Sequence, residues 1–163
     1  EAALTIASSQ VTGLPNEWTY IRLGSDFVTS ATANSNVTGL SFTPAASKNY
    51  HIEGMYLLQA AATTTGARPG VAWPTGYSDG ASRTIAPNNA TAFATRFGVA
   101  GTTSNAASTG IGTTGASYIG RMEAILITGG SPSGNFQVTL SSEVAASNVT
   151  MKAGSFIRYI EYT

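Results

Sequence analysis

Residues 50–59 read Tyr50-His51-Ile52-Glu53-Gly54-Met55-Tyr56-Leu57-Leu58-Gln59 and carry a period of two. Tyr50, Ile52, Tyr56 and Leu58 fall on one face with Gly54 between them. His51, Glu53, Met55, Leu57 and Gln59 fall on the other. Side chains that alternate in this way describe a strand with one face in a core. The same reading extends outward in both directions. Trp18 to Leu23 is aromatic and β-branched and stops at Gly24. Phe93 to Val99 alternates and sets Phe93, Phe97 and Val99 together. Tyr118 to Thr128 is apolar on both faces near its end, the mark of a central strand. Phe136 to Leu140 and Phe156 to Tyr162 complete the set.

Between these segments lie clusters of Gly, Pro, Ser, Asn and Thr, the chemistry of turns. No window of 11 residues shows helical periodicity with caps. The expectation is an all-β fold, an antiparallel β-sandwich of jelly-roll-like kind. It has one domain over residues 17–163, preceded by a short extended N-terminal arm over 1–16.

The chain has 163 residues, of which only 10% are charged, with eight basic and eight acidic side chains that cancel. A typical domain holds about 25%. So few charges give a monomer weak means of keeping its copies apart, which points to a protein whose surface largely faces protein. The basic residues are scattered singly, so nothing supplies the phosphate-neutralising term of nucleic-acid binding. No apolar run approaches the roughly 20 residues of a membrane span, so no membrane insertion is expected. The start, Glu1 to Ala7, has neither a basic region nor a sustained apolar segment, and no signal peptide is expected. Without cysteine, disulfides and thiolate metal sites are excluded.

Two regions break the strand pattern. Thr63 to Asn89 holds three of the six prolines and Trp73, and Gly101 to Gly115 is low in complexity and almost uncharged. Long loops on a sheet scaffold are where binding residues sit, with surface filler or a contact to a neighbouring subunit as the alternative. In the first region Arg68, Trp73, Tyr77, Asp79 and Arg83 form the candidate ligand-binding set. An aromatic ring and planar polar groups are the chemistry that takes a sugar. For Trp73 an apolar plug under the loop is the favoured reading, and Trp18 reads as a core residue or an anchor for the N-terminal arm.

Catalysis has thinner support. His51, the single histidine, shares a strand face with Glu53, yet no serine elbow or cysteine completes a triad. A hydrogen-bonded pair at a subunit contact is the simpler reading. Glycoside hydrolysis needs two facing carboxyl groups, for which Glu53, Glu123, Glu143 and Asp79 are the candidates. Arg22, Arg121 and Arg158 also lie on strands and account for these charges as ion pairs. Calcium through Asp26 and Asp79 lacks the spacing of a calcium loop. No enzyme, no metal and no cofactor are expected.

A series of motifs resembles a C-terminal β-sandwich domain of tailed-bacteriophage structural proteins, the knob of tail fibres and other virion appendages. The series runs from Ala31-Thr32-Ala33-Asn34-Ser35-Asn36-Val37-Thr38-Gly39-Leu40-Ser41-Phe42 through Tyr50-His51-Ile52-Glu53-Gly54 and Ala60 to Arg68. It continues with Arg121 to Ile125 and Gly134 to Val138, and closes on Ser142-Glu143-Val144 and Val149 to Tyr159. Leu4 to Leu14 resembles a linker found before such knobs, and the stop at Thr163 is where a terminal knob would end. The resemblance implies a virion protein made in a bacterial cytoplasm, self-associated as a homotrimer and in contact with other virion proteins. Its task would be attachment to host cell-surface polysaccharide, with a capsid-decoration or head-fibre role that stabilises the head as the alternative. No functional residue is carried over from it.

Overall fold

The computed structural model describes residues 17–89 and 91–162. The expected arm over 1–16 and its linker motif lie outside the described residues. Twelve strands form among the described residues, with no helix. They are β1 (Thr19–Arg22), β2 (Phe27–Thr29), β3 (Ser35–Phe42), β4 (Asn49–Ala60), β5 (Ala67–Ala72) and β6 (Thr75–Pro87). Then follow β7 (Phe93–Val99), β8 (Ser104–Asn105), β9 (Tyr118–Ser133), β10 (Phe136–Ser142), β11 (Val149–Met151) and β12 (Phe156–Tyr162). The larger sheet runs β1-β12-β4-β9-β6-β7, with β11 and β2 added beside the far end of β4. The smaller runs β3-β10-β5-β8, and every pairing is antiparallel. The chain is an antiparallel β-sandwich with jelly-roll-like topology, as expected.

The core lies between the two sheets. The larger contributes Ile52, Tyr56 and Leu58 from β4, Met122, Ala124 and Leu126 from β9, and Ile157 from β12. The smaller contributes Val37, Leu40 and Phe42 from β3 and Phe136, Val138 and Leu140 from β10. One end is aromatic: Phe42 stacks on Tyr159 at 4.1 Å and lies 5.6 Å from Phe136, whose edge meets Trp73 at 5.5 Å. Tyr50 closes this end, its hydroxyl accepting from the Ala45 amide at 2.8 Å and donating to Glu161 at 3.2 Å.

Both long irregular regions prove to be built into the fold. Thr63 to Asn89 holds β5 and β6, the latter thirteen residues long, because bulges near Tyr77 and Asp79 let a Gly-rich segment keep its pairing with β9. Gly101 to Gly115 is largely exposed but tucks Ala106, Ser108 and Ile111 into the interior. The Ser108 hydroxyl donates to the Pro87 carbonyl at 2.6 Å, and Arg68 Nε donates to the Ser108 carbonyl at 2.8 Å. Small uncharged residues let alternate positions of the 106–111 stretch enter the packed interior while the rest stays outside.

Candidate functional site

The two outward faces of the sandwich differ in chemistry. The smaller sheet turns polar groups outward, among them Asn36, Ser41, Gln137 and Asn105. Several serve the backbone: Gln137 Nε2 donates to the Val37 carbonyl at 2.9 Å, and Asn105 Nδ2 donates to the Arg68 carbonyl at 3.2 Å. The larger sheet turns out Phe93, Phe97 and Val99 from β7, Ile119 and Ile125 from β9, Leu57 from β4 and Tyr20 from β1. Phe97 is 72% exposed, Phe93 64% and Val99 61%. Apolar side chains concentrated on one sheet face are the signature of a protein contact.

A charged row crosses this face. Phe97 stands opposite Arg83, Arg83 opposite Glu123, Glu123 opposite Glu53, Glu53 opposite Arg158, and Arg158 opposite Tyr20. The two carboxylates are direct neighbours across β4 and β9, an arrangement that repels on its own. Each is balanced on its outer side. Arg83 Nη2 meets Glu123 at 2.9 Å, and Arg158 Nε donates to Glu53 at 2.8 Å. Arg158 also donates to the Tyr20 hydroxyl at 3.0 Å and lies under Trp18, 4.4 Å from the ring centroid. The Tyr20 hydrogen bond first, and Glu53 second, hold this guanidinium above its usual pKa. Beside the row, Met55, Ile85, Arg121 and Phe156 join the four charged residues around a hollow of about 500 Å³.

The candidate catalytic groups are absorbed here. Glu53 and Glu123 are each committed to an arginine, and His51 Nε2 lies 3.7 Å from Glu53 with its ring edge-on to Trp18. Asp26 is bound by Lys152 and the Ala153 amide, Asp79 Oδ1 accepts from the Gly80 amide, and Glu143 lies 3.6 Å from Arg68. Among the described residues no three His, Asp or Glu gather as metal ligands, and no helix is long and apolar enough to cross a membrane.

The five candidate ligand residues do not share a surface. Arg68 belongs to the smaller sheet and ties down the buried 106–111 segment. Trp73 is half-buried against the core, the plug of its two readings. Tyr77 and Asp79 lie at the bulged end of β6, and Arg83, four residues on from Asp79 on the same outward face of that strand, belongs to the charged row. Trp18, expected in the core or anchoring the arm, covers that same row. The apolar outward face itself escaped the sequence reading. Its signal was there, in the surplus of apolar residues on both faces of Tyr118 to Thr128.

No family model matches the chain, and no curated protein matches it. Among solved structures it is similar to infectious bursal disease virus, Gt strain, at 10% identity and a TM-score of 0.31, over 100% of this chain and 43% of that one. The VP2 subviral particle of the same virus gives 13% and 0.30 over 98% and 41%, and the Gx strain 14% and 0.25 over 98% and 42%. The chain thus spans about two fifths of those chains. The expected membership of a tailed-bacteriophage appendage family is corrected by this outcome, and the tail-fibre attachment role falls with it. Of the motifs behind it, Gly134-Asn135 is the turn between β9 and β10, and Val149 to Met151 is the short strand β11.

Proposed function

We propose that this chain is a structural protein of a virus particle that works by assembly, in the manner of a capsid or capsid-decoration component. It clamps protein neighbours through the outward face of its larger sheet. The observation that carries this reading is the contrast between the two faces: the smaller is polar and internally hydrogen-bonded, while the larger exposes Phe93, Phe97, Val99 and Ile119 to solvent. The low charge content acts in the same direction, since a chain with 10% charged residues gains by covering its surface. A rigid sandwich held by two interdigitated sheets suits a load-bearing part. Immunogold labelling of virus particles purified from cells that carry the gene tests the reading. Gold on the particle shell is the expected result, and gold confined to particle-free material overturns it.

A further inference from the structure

Resting on that reading, we infer that the partner on this face is a second copy of the chain, docked about a two-fold axis with Phe97 of each copy seated in the other's hollow.

Three observations lead there. The first is that β7, an edge strand, is closed to strand addition. Its register sets Arg96 opposite the buried Thr84, on the core side of the sheet though itself exposed at the edge, and a charge so placed on an edge strand opposes pairing with another strand. A symmetric pairing centred on Arg96 would set two guanidiniums against each other. The exposed aromatics of β7 are therefore covered by a face and not by an added edge.

The second is that protrusion and hollow lie on one face. Phe97 stands in the charged row, next to Arg83, and the hollow opens along that row between β6 and β12. Its floor offers Met55, Ile85 and Phe156, and Arg121 on its rim has no ion pair among the described residues, free to lie against an aromatic ring. From β7 to the middle of β9 and β4 is two to three strand spacings, about 12 Å. A surface with both a knob and a socket satisfies itself under a two-fold, because one contact generates the other.

The third is electrostatic. An axis parallel to the strands and between β6 and β9 sets Arg83 of each copy over Glu123 of the other. An axis in the middle of the row, between β9 and β4, would set Glu53 over Glu123. The charges thus select the offset that also brings Phe97 to the hollow. Four strands overlap, about 500 Å² per copy and roughly 1,000 Å² in total, the lower bound for a specific contact. A contact of that size belongs with the weak, reversible ones, its affinity set by the Phe97 anchor and not by area.

Sedimentation velocity from about 1 to 100 µM reads the outcome. The wild-type chain should pass from monomer to dimer. Phe97→Glu and Met55→Lys should each raise Kd about tenfold or more with unchanged circular dichroism and melting temperature, since the two-fold sets β7 of one copy over β4 of the other. An equimolar mixture of the two variants should dimerise again, because one native contact remains and the other becomes a Glu–Lys pair. Phe156→Lys, next to Met55 across β12 and β4, replaces Met55→Lys if the latter melts early. A wild-type chain that stays monomeric, that forms trimers, or whose mixed variants fail to pair overturns the inference. Monomers alongside gold-labelled shells would remove this inference alone; dimers alongside unlabelled shells would remove the virion role alone.

Discussion

Gly54 and Tyr56 show how closely single residues are set in this core. Both point inward from β4, and the tyrosine ring lies back along its own strand over the glycine. A Cβ at position 54 would sit 2.6 Å from Tyr56 Oη and 2.8 Å from Cζ. Gly54→Ala should therefore lower the unfolding free energy by about 1–3 kcal/mol in urea titration, as overpacking does. The Tyr56 hydroxyl is buried with no partner among the described residues. Tyr56→Phe should accordingly leave stability within about 1 kcal/mol of wild type, or raise it. Titration of a few groups sets the pH range. Lys152 and the Ala153 amide hold Asp26 below its usual value, and Lys48 holds Glu161 below its own. Burial pushes Tyr50 and Tyr56 upward. The carboxylates stabilise the fold above their unfolded values and lose that contribution as pH falls through the lower folded ones. The phenols ionise first in the unfolded chain, so stability declines as pH rises past about 10. Melting temperature should be flat between about pH 5 and 9 and fall on both sides. Tyr50, Ile52, Tyr56 and Leu58 were legible as core because alternation alone assigns a face. Trp18 and Trp73 were not, since an aromatic ring suits a core, a plug or a surface cluster and only its neighbours decide.

Among the elements, the two least conspicuous in the sequence have the most specific work. The 106–111 segment passes so close to Gly66 that a Cβ there would lie 2.0 Å from the Ser108 carbonyl oxygen. Gly66→Ala should displace the segment, shown by faster hydrogen exchange at Ala106 and Ile111, whose amides donate to Pro69 and Thr63. Protection equal to wild type would mean that the segment is not pinned there. Strand β7 is the other. With Arg96 replaced by Val, its inward face no longer resists edge-to-edge pairing, and thioflavin-binding aggregates should appear where the wild-type chain gives none. Strands were readable wherever alternation was strong, as in β4, β7 and β10. The length of β6 was not, because Gly76, Ser78 and Gly80 resemble loop chemistry, and the strand is carried past the bulges at Gly76 and Ser78 only by the pairing of Thr75, Tyr77 and Asp79 with β9.

For the molecule as a whole, core and outward face should respond oppositely to substitution. Leu126→Ala removes a fully buried side chain from the centre of the sandwich and should cost about 2–5 kcal/mol of stability. Ile119→Lys, on the outward face, should change stability by no more than about 0.5 kcal/mol while raising the protein's solubility limit. Equal effects on melting would place Ile119 in a packed interior. By itself, the sequence determined the fold class, the inward face of each strong strand and the shortage of charge, because period-two alternation and composition are local properties of the chain. Only the tertiary structure decided which outward face is apolar, that Glu53 and Glu123 stand side by side between two arginines, and that the low-complexity segment sends Ala106, Ser108 and Ile111 into the core. Those facts depend on which strands become neighbours and in what register, and residues 40 to 138 positions apart carry no local mark of that pairing.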